Sequence, residues 1–189
     1  MKLTDHEWIA ATPWQTWNTL LAPAQLQRCL HDCRHVEQVS ENEYHVRFDT
    51  SQGGSTSQFD GVILIEEAQA PRQLRVVFDG GGRHAGLAIG HADITLEPGA
   101  HGGTRLSYQL EAAAGGALAR LGPAELEKRA RRHLEGFFLR LNAMAPQAPG
   151  ADPAPPVTQD TTRQRGLGSW LVAVAVVAAV VAYFVLLRP

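Results

Sequence analysis

The chain lacks several features that would point directly to a function. Its 189 residues carry 17 Lys and Arg against 19 Asp and Glu, for a net charge of -2. There is no surplus of positive charge to neutralise phosphates, which argues against nucleic acid as a partner. The opening "MKLTDHEW" has no apolar run of about 7–15 residues, the core of an export signal, so export is not expected. Cysteine is scarce. Cys29 and Cys33 are the only two, and with no export signal they are expected as reduced thiols rather than a disulfide. There is no G-x-S-x-G elbow, no Walker lysine and no internal repeat, and no catalytic residue is nominated.

What is present is unevenly distributed. From Leu167 to Leu187, "LGSWLVAVAVVAAVVAYFVLL" contains no charge. As a helix it would be ~32 Å long, enough to cross a hydrocarbon core of ~30 Å. Trp170 and Tyr183 suit the two interfaces, and Arg163 and Arg165 before the span outnumber Arg188 after it. That bias predicts a single-pass membrane protein with a cytoplasmic N-terminal domain. Residues 146–166, rich in proline and poor in large apolar side chains, predict an extended linker.

Residues 1–145 read as one α+β domain. Leu3 to Ala10 suits a strand. "ATPWQTWNTLL" then marks a helix start, with Thr12 as N-cap, Pro13 at the first helical position and Gln15 completing a capping box. Pro23 opens a second short helix through "PAQLQRCL". Strand signals follow in series: the alternating "EYHVRF", the longer runs "STSQFDGVILIEE" and "QLRVVFD", and the alternating "GHADITLE" and "TRLSYQLEA", separated by turns such as "SQGG" and "PGAHGG". A long amphipathic helix closes the domain, with Leu126, Ala130, Leu134, Phe137, Phe138 and Leu141 on one stripe and a restart at Gly122-Pro123. A curved antiparallel sheet of about seven strands gripping that helix is the natural packing, since the sheet's inner face needs a cover.

Three motifs invite functional readings. Gly80, Gly82 and Ala85 spell G-x-G-x-x-A, but a dinucleotide loop must open a helix, and a β-alternating segment follows here. "CLHDCRH" places Cys29, His31, Cys33 and His35 at alternate positions. In a helix His31 points away from the two cysteines, and in a strand the four are too extended to converge on one zinc ion. "EKRARRH", Glu127 to His133, reads either as the solvated side of the helix or as a contact for anionic lipid or an acidic partner.

Several stretches together resemble the carbon monoxide dehydrogenase G-subunit family of the START/Bet v 1-like (SRPBCC) helix-grip superfamily. They are "GGALARLG" followed by the Phe137-Phe138 pair, "AGLAIG" with Gly86 and Gly90, "FDGVILI", and "TPWQTWNTLLAPAQLQRCLHDC". The chain departs from the family pattern at His31-Asp32, where Pro-Gly is usual, and at Ala22, where Asp is usual. Val62 and Leu64 stand where other members carry polar residues, and an exposed apolar patch is expected there.

The resemblance implies a non-enzymatic, membrane-bound accessory protein that recruits a molybdenum-containing CO dehydrogenase or related hydroxylase. It also implies a hydrophobic cavity for an isoprenoid quinone or similar lipid, with no covalent cofactor and no metal. The expected lining is Phe59, Ile63 and Ile65 from the strands, Gly86 and Gly90 at a bend, and Leu134, Phe137, Phe138 and Leu141 from the helix. Two alternatives stay open: a protein-binding anchor without a ligand, and a cyclase or hydrolase using the same cavity.

Overall fold

A computed structural model describes residues 1–52, 55–82, 86–99, 102–116 and 118–144. The predicted linker (146–166) and membrane span (167–187) lie outside these residues. Among the described residues no helix is long and apolar enough to cross a membrane.

Strand β1 (Lys2–Ile9) leads into α1 (Pro13–Leu21) and α2 (Pro23–Cys29). Six strands follow: β2 (Cys33–Ser40), β3 (Glu43–Gln52), β4 (Ser55–Gln69), β5 (Gln73–Gly82), β6 (Gly86–Pro98) and β7 (Thr104–Gly115). A short 3-10 turn (Leu118–Leu121) precedes α3 (Pro123–Met144). The strands form one antiparallel sheet in the order β1-β7-β6-β5-β4-β3-β2. Strands β2 to β7 pair in sequence as a meander, and β1 joins the far edge beside β7. The two edge strands are therefore consecutive in the chain, joined by α1 and α2 across the sheet's inner face. α3 packs against β1, α1 and α2, giving the helix-grip arrangement expected from the pattern.

Local chemistry accounts for the boundaries. Thr12 accepts from the Gln15 amide at 3.2 Å, and its own amide donates to Gln15 Oε1 at 3.0 Å, so α1 starts with both halves of the capping box. The start of α1 is tied to β7 by a buried pair of hydroxyls. Thr104 Oγ1 donates to the Ala11 carbonyl at 2.6 Å, and Thr16 Oγ1 donates to Thr104 Oγ1 at 3.2 Å. Gly122, at φ 75°, takes the left-handed conformation that turns the chain into α3, with Pro123 at the helix start.

α3 is held along its length. Arg140 Nε donates to the Cys29 carbonyl at 2.6 Å, and the Asn142 side chain bridges β1 and its exit, accepting from the Ala10 amide and donating to the Trp8 carbonyl, both at 2.8 Å. Arg129 pairs with Glu125 at 2.7 Å and Arg131 with Glu127 at 3.0 Å, and Arg131 also reaches Asp5 of β1 at 3.4 Å. Much of the "EKRARRH" charge is thus taken up within the helix itself.

Strand β2 is the element that the alternation pattern did not announce. Val36 is its only buried residue. An edge strand with a single inward apolar side chain has almost no period-2 signal, and only its pairing with β3 makes it a strand.

Candidate functional site

The inner face of the sheet is built from alternate positions. Tyr44, Val46 and Phe48 point inward on β3, and Phe59, Gly61, Ile63 and Ile65 on β4; the register sets Phe48 opposite Phe59 and Tyr44 opposite Ile63. Leu74, Val76 and Phe78 continue the face on β5, with Phe78 opposite Ile63 on one side and Gly90 on the other. α3 covers it with Leu134, Phe137, Phe138 and Leu141. These four, with Phe59, Ile63 and Ile65, are all buried in one apolar cluster. The fold thus brings together seven of the nine expected lining residues as packed core. Aromatic rings join the layers: Tyr108 of β7 stacks on Phe138 at 5.7 Å, Phe137 meets Phe138 edge-on at 5.4 Å, and Phe48 meets Phe59 at 6.5 Å.

The two glycines of the expected lining act through the backbone. Gly86 has φ 93° and opens β6 where the hairpin from β5 closes, paired with Gly82. A Cβ on Gly90 would lie 2.2 Å from the Glu111 carbonyl oxygen and 2.6 Å from the Phe78 ring. Gly90 therefore makes room for Phe78 under the bend of β6. The G-x-G-x-x-A pattern falls on this hairpin, where a strand follows instead of the helix that a pyrophosphate needs. Ala85, its last member, lies outside the described residues.

Polar groups in the interior are few. Tyr44 is fully buried, and its hydroxyl has no hydrogen-bond partner among the described residues. Burial alone pushes its phenol well above the ordinary range. Tyr108 lies at the other end of the sheet, where β1 meets α3. Its phenol is also raised, first by burial and then by the nearby carboxylates of Asp5 and Glu7. Glu7 is raised by burial and by Asp5 beside it. Sequence reasoning placed Tyr44 and Tyr108 on strands without assigning them to the site. The available signal was a hydroxyl at an inward position among aliphatic neighbours.

The cysteine motif divides between elements. Cys29 ends α2 and is buried, and Cys33 opens β2 with its thiol donating to the carbonyls of His35 at 3.3 Å and Arg47 at 3.6 Å. Burial pushes both thiols up to about 12. His31 pairs with Asp32 at 2.8 Å and His35 with Glu37 at 3.3 Å. Among the described residues no three His, Cys, Asp or Glu side chains are grouped to hold a metal ion.

The outer face of the sheet carries an apolar strip. Leu64 is 39% exposed, Leu87 58% and Ile89 51%, and Val62 and Val77 stand beside them in the register. Leu64 is exposed and Val62 half-buried at the place where the sequence led an exposed apolar patch to be expected. Two open depressions cross this face. One, of about 1000 Å³, runs past Lys2, Arg75, Val77, Ile89, His91 and Glu111, and the other, of about 690 Å³, past His45, Arg47, Val62, Leu64 and Leu87. The borders are charged but mixed in sign, with Arg47 held to Asp60 at 2.8 Å and Arg75 to Asp93 at 2.7 Å.

Comparison with known proteins places this arrangement. Residues 6–145 match the CoxG family, described as the G-subunit of carbon monoxide dehydrogenase. No curated protein matches the sequence. Among solved structures, the chain is similar to a conserved protein from Geobacillus kaustophilus, with a TM-score of 0.70 and 22% identity over 76% of this chain and 93% of that one. It is also similar to a Rhizobium loti protein (TM-score 0.57, 15% identity, 76% and 95% coverage) and a Mycobacterium smegmatis protein (TM-score 0.56, 17% identity, 75% and 88% coverage). At these identities the structures speak for the fold alone.

Proposed function

The chain belongs to the CoxG family of carbon monoxide dehydrogenase, and from that membership we propose that it is a non-catalytic accessory protein of a molybdenum-containing, CO dehydrogenase-type oxidoreductase. In this reading the uncharged run Leu167–Leu187 anchors the chain in the inner membrane, the linker 146–166 holds the domain on the cytoplasmic side, and the domain recruits the enzyme. The interior takes an isoprenoid quinone or a similar lipid, which brings the guest to the enzyme beside the membrane. The observation that carries the reading is the family match over residues 6–145, which spans the described helix-grip unit from the middle of β1 to the end of α3. The predominantly apolar character of the surfaces between sheet and α3 supports a hydrophobic guest over a phosphate.

The test is extraction and mass spectrometry of the full chain purified in detergent from a cell that also makes such an enzyme. The expected result is a molybdenum enzyme in the eluate together with a stoichiometric isoprenoid compound, both lost from the membrane fraction when residues 167–187 are deleted. Absence of the enzyme refutes the accessory role. Absence of the lipid refutes the ligand.

A second reading, a protein-binding anchor with a closed interior, is favoured by the outer strip of Leu64, Leu87 and Ile89, which offers a partner an apolar face of its own. Enzyme without lipid in the same eluate selects it.

A further inference from the structure

The interior contains one polar group whose packing leaves it unanswered. Tyr44 is 0% exposed, and its hydroxyl finds no partner among the described residues. A buried donor left unpaired costs about 1–3 kcal/mol, and native proteins pair nearly all such groups. Phenylalanine at this position would fill the same space without that cost. The buried threonine hydroxyls show the usual outcome: Thr104 and Thr16 are paired with each other and with the Ala11 carbonyl. The other buried side-chain atom without a partner, Gln25 Oε1 on α2, belongs to a residue that is itself only partly buried.

Tyr44 belongs to the buried face of the sheet. It stands on the inner face of β3 directly opposite Ile63, one of the expected lining residues. Burial raises its phenol, and among the described residues no cation is bonded to it. A carboxylate guest would therefore meet no compensating cation here, whereas a neutral acceptor meets a donor with nothing else to bond.

We propose that the Tyr44 hydroxyl donates the hydrogen bond that holds the carbonyl oxygen of a neutral, otherwise apolar guest between the sheet and α3. This rests on the reading that the interior takes a quinone-like lipid, and it adds the residue that orients the guest. The surrounding apolar side chains then hold the hydrocarbon part, and the single hydroxyl distinguishes a carbonyl-bearing head from a plain hydrocarbon.

Tyr44→Phe removes the hydroxyl and little else. The full chain and this variant, both in detergent, are titrated with decylubiquinone, whose substituted ring resists thiol addition, and with decylbenzene, which has the tail and no carbonyl. The expected result is that the variant binds decylubiquinone about five- to tenfold more weakly. Its affinity for decylbenzene is unchanged, and its ligand-free Tm is equal or higher. If both proteins bind decylubiquinone equally, the ligand reading stands and the role of Tyr44 is refuted. If the parent chain binds neither probe, the ligand reading fails and this inference falls with it. A ligand-free Tm lower by several degrees in the variant would show that the hydroxyl already has a partner, an ordered water included, and would equally overturn the assignment.

Discussion

Replacing Gly90 with alanine tests whether the glycines of the β5–β6 hairpin serve sheet curvature. The new Cβ would stand 2.2 Å from the Glu111 carbonyl oxygen on β7 and 2.6 and 2.8 Å from two atoms of the Phe78 ring. Backbone on the neighbouring strand must move, and so must a ring that is only 3% exposed within the core. Forcing a methyl into a packed interior costs about 1–3 kcal/mol, and a displaced carbonyl puts this site at the upper end. Alanine restricts the unfolded chain and returns about 0.4–1 kcal/mol, leaving a net loss of roughly 2 kcal/mol.

Gly81→Ala is the control from the same hairpin. Its Cβ would meet Leu87 Cδ2 at 2.7 Å, the tip of a side chain 58% exposed and able to swing away, and the Gly86 carbonyl oxygen at 3.3 Å, which needs to give by only a few tenths of an ångström. Its expected change lies within about 0.5 kcal/mol. Urea unfolding of the two variants against the parent should separate them, and thermal unfolding should give a Tm lower by about 4–8 °C for Gly90→Ala alone. Equal stabilities would refute the account, because they would mean that the bend at Gly90 has room for a side chain.

Three further outcomes follow from the structure. Thr104→Val leaves the Ala11 carbonyl without its 2.6 Å donor and should cost about 1–3 kcal/mol by urea unfolding, whereas an unchanged midpoint would show that water replaces the hydroxyl. Both thiols are held up to about 12, so at pH 8 neither Cys29 nor Cys33 carries appreciable thiolate. Iodoacetamide should label the folded chain far more slowly than the urea-unfolded one, and equal rates would contradict the burial of the two groups. Glu7 has a raised pKa, first from burial and then from Asp5. Its stabilising contribution is full below the ordinary carboxyl value near about 4.3 and is lost as pH rises through the folded value. Glu7→Gln should therefore raise the urea midpoint at pH 7 and leave it unchanged near pH 3.5; a lower midpoint at pH 7 would reverse that sign.

Much of the architecture was legible because each element carried its own signal. Thr12, Pro13 and Gln15 announced α1 through capping chemistry, and Gly122-Pro123 announced the restart before α3. The inward residues of β3, β6 and β7 were readable from alternation, whereas the continuous apolar runs of β4 and β5 do not show which side faces in. Strand β2 was not, because pairing to β3 rather than its own side chains makes it a strand. The site was legible as a set of apolar positions but not as chemistry. Phe59, Ile63 and Phe137 declare a buried face in any sequence, whereas the unpaired state of the Tyr44 hydroxyl depends on what stands around it in three dimensions. Of the outer strip, Val62 and Leu64 were expected from the resemblance, whereas Leu87 and Ile89, on a different strand, were not.

The strand order carries a consequence for how the chain is assembled. Strands β2 to β7 can pair as they leave the ribosome, each beside the one made just before it. Strand β1 is made first and finds its place last, since Lys2 must wait for Glu111 and Leu3 for Leu110. At roughly 5–20 residues per second that interval lasts about 5–20 s. Throughout it the unpaired edge of β1 and the apolar faces of α1, Trp17 and Leu20 among them, are without the partners that later bury them. The nascent N-terminus is therefore the segment most in need of a holding chaperone, and β7 is the strand whose arrival ends that need.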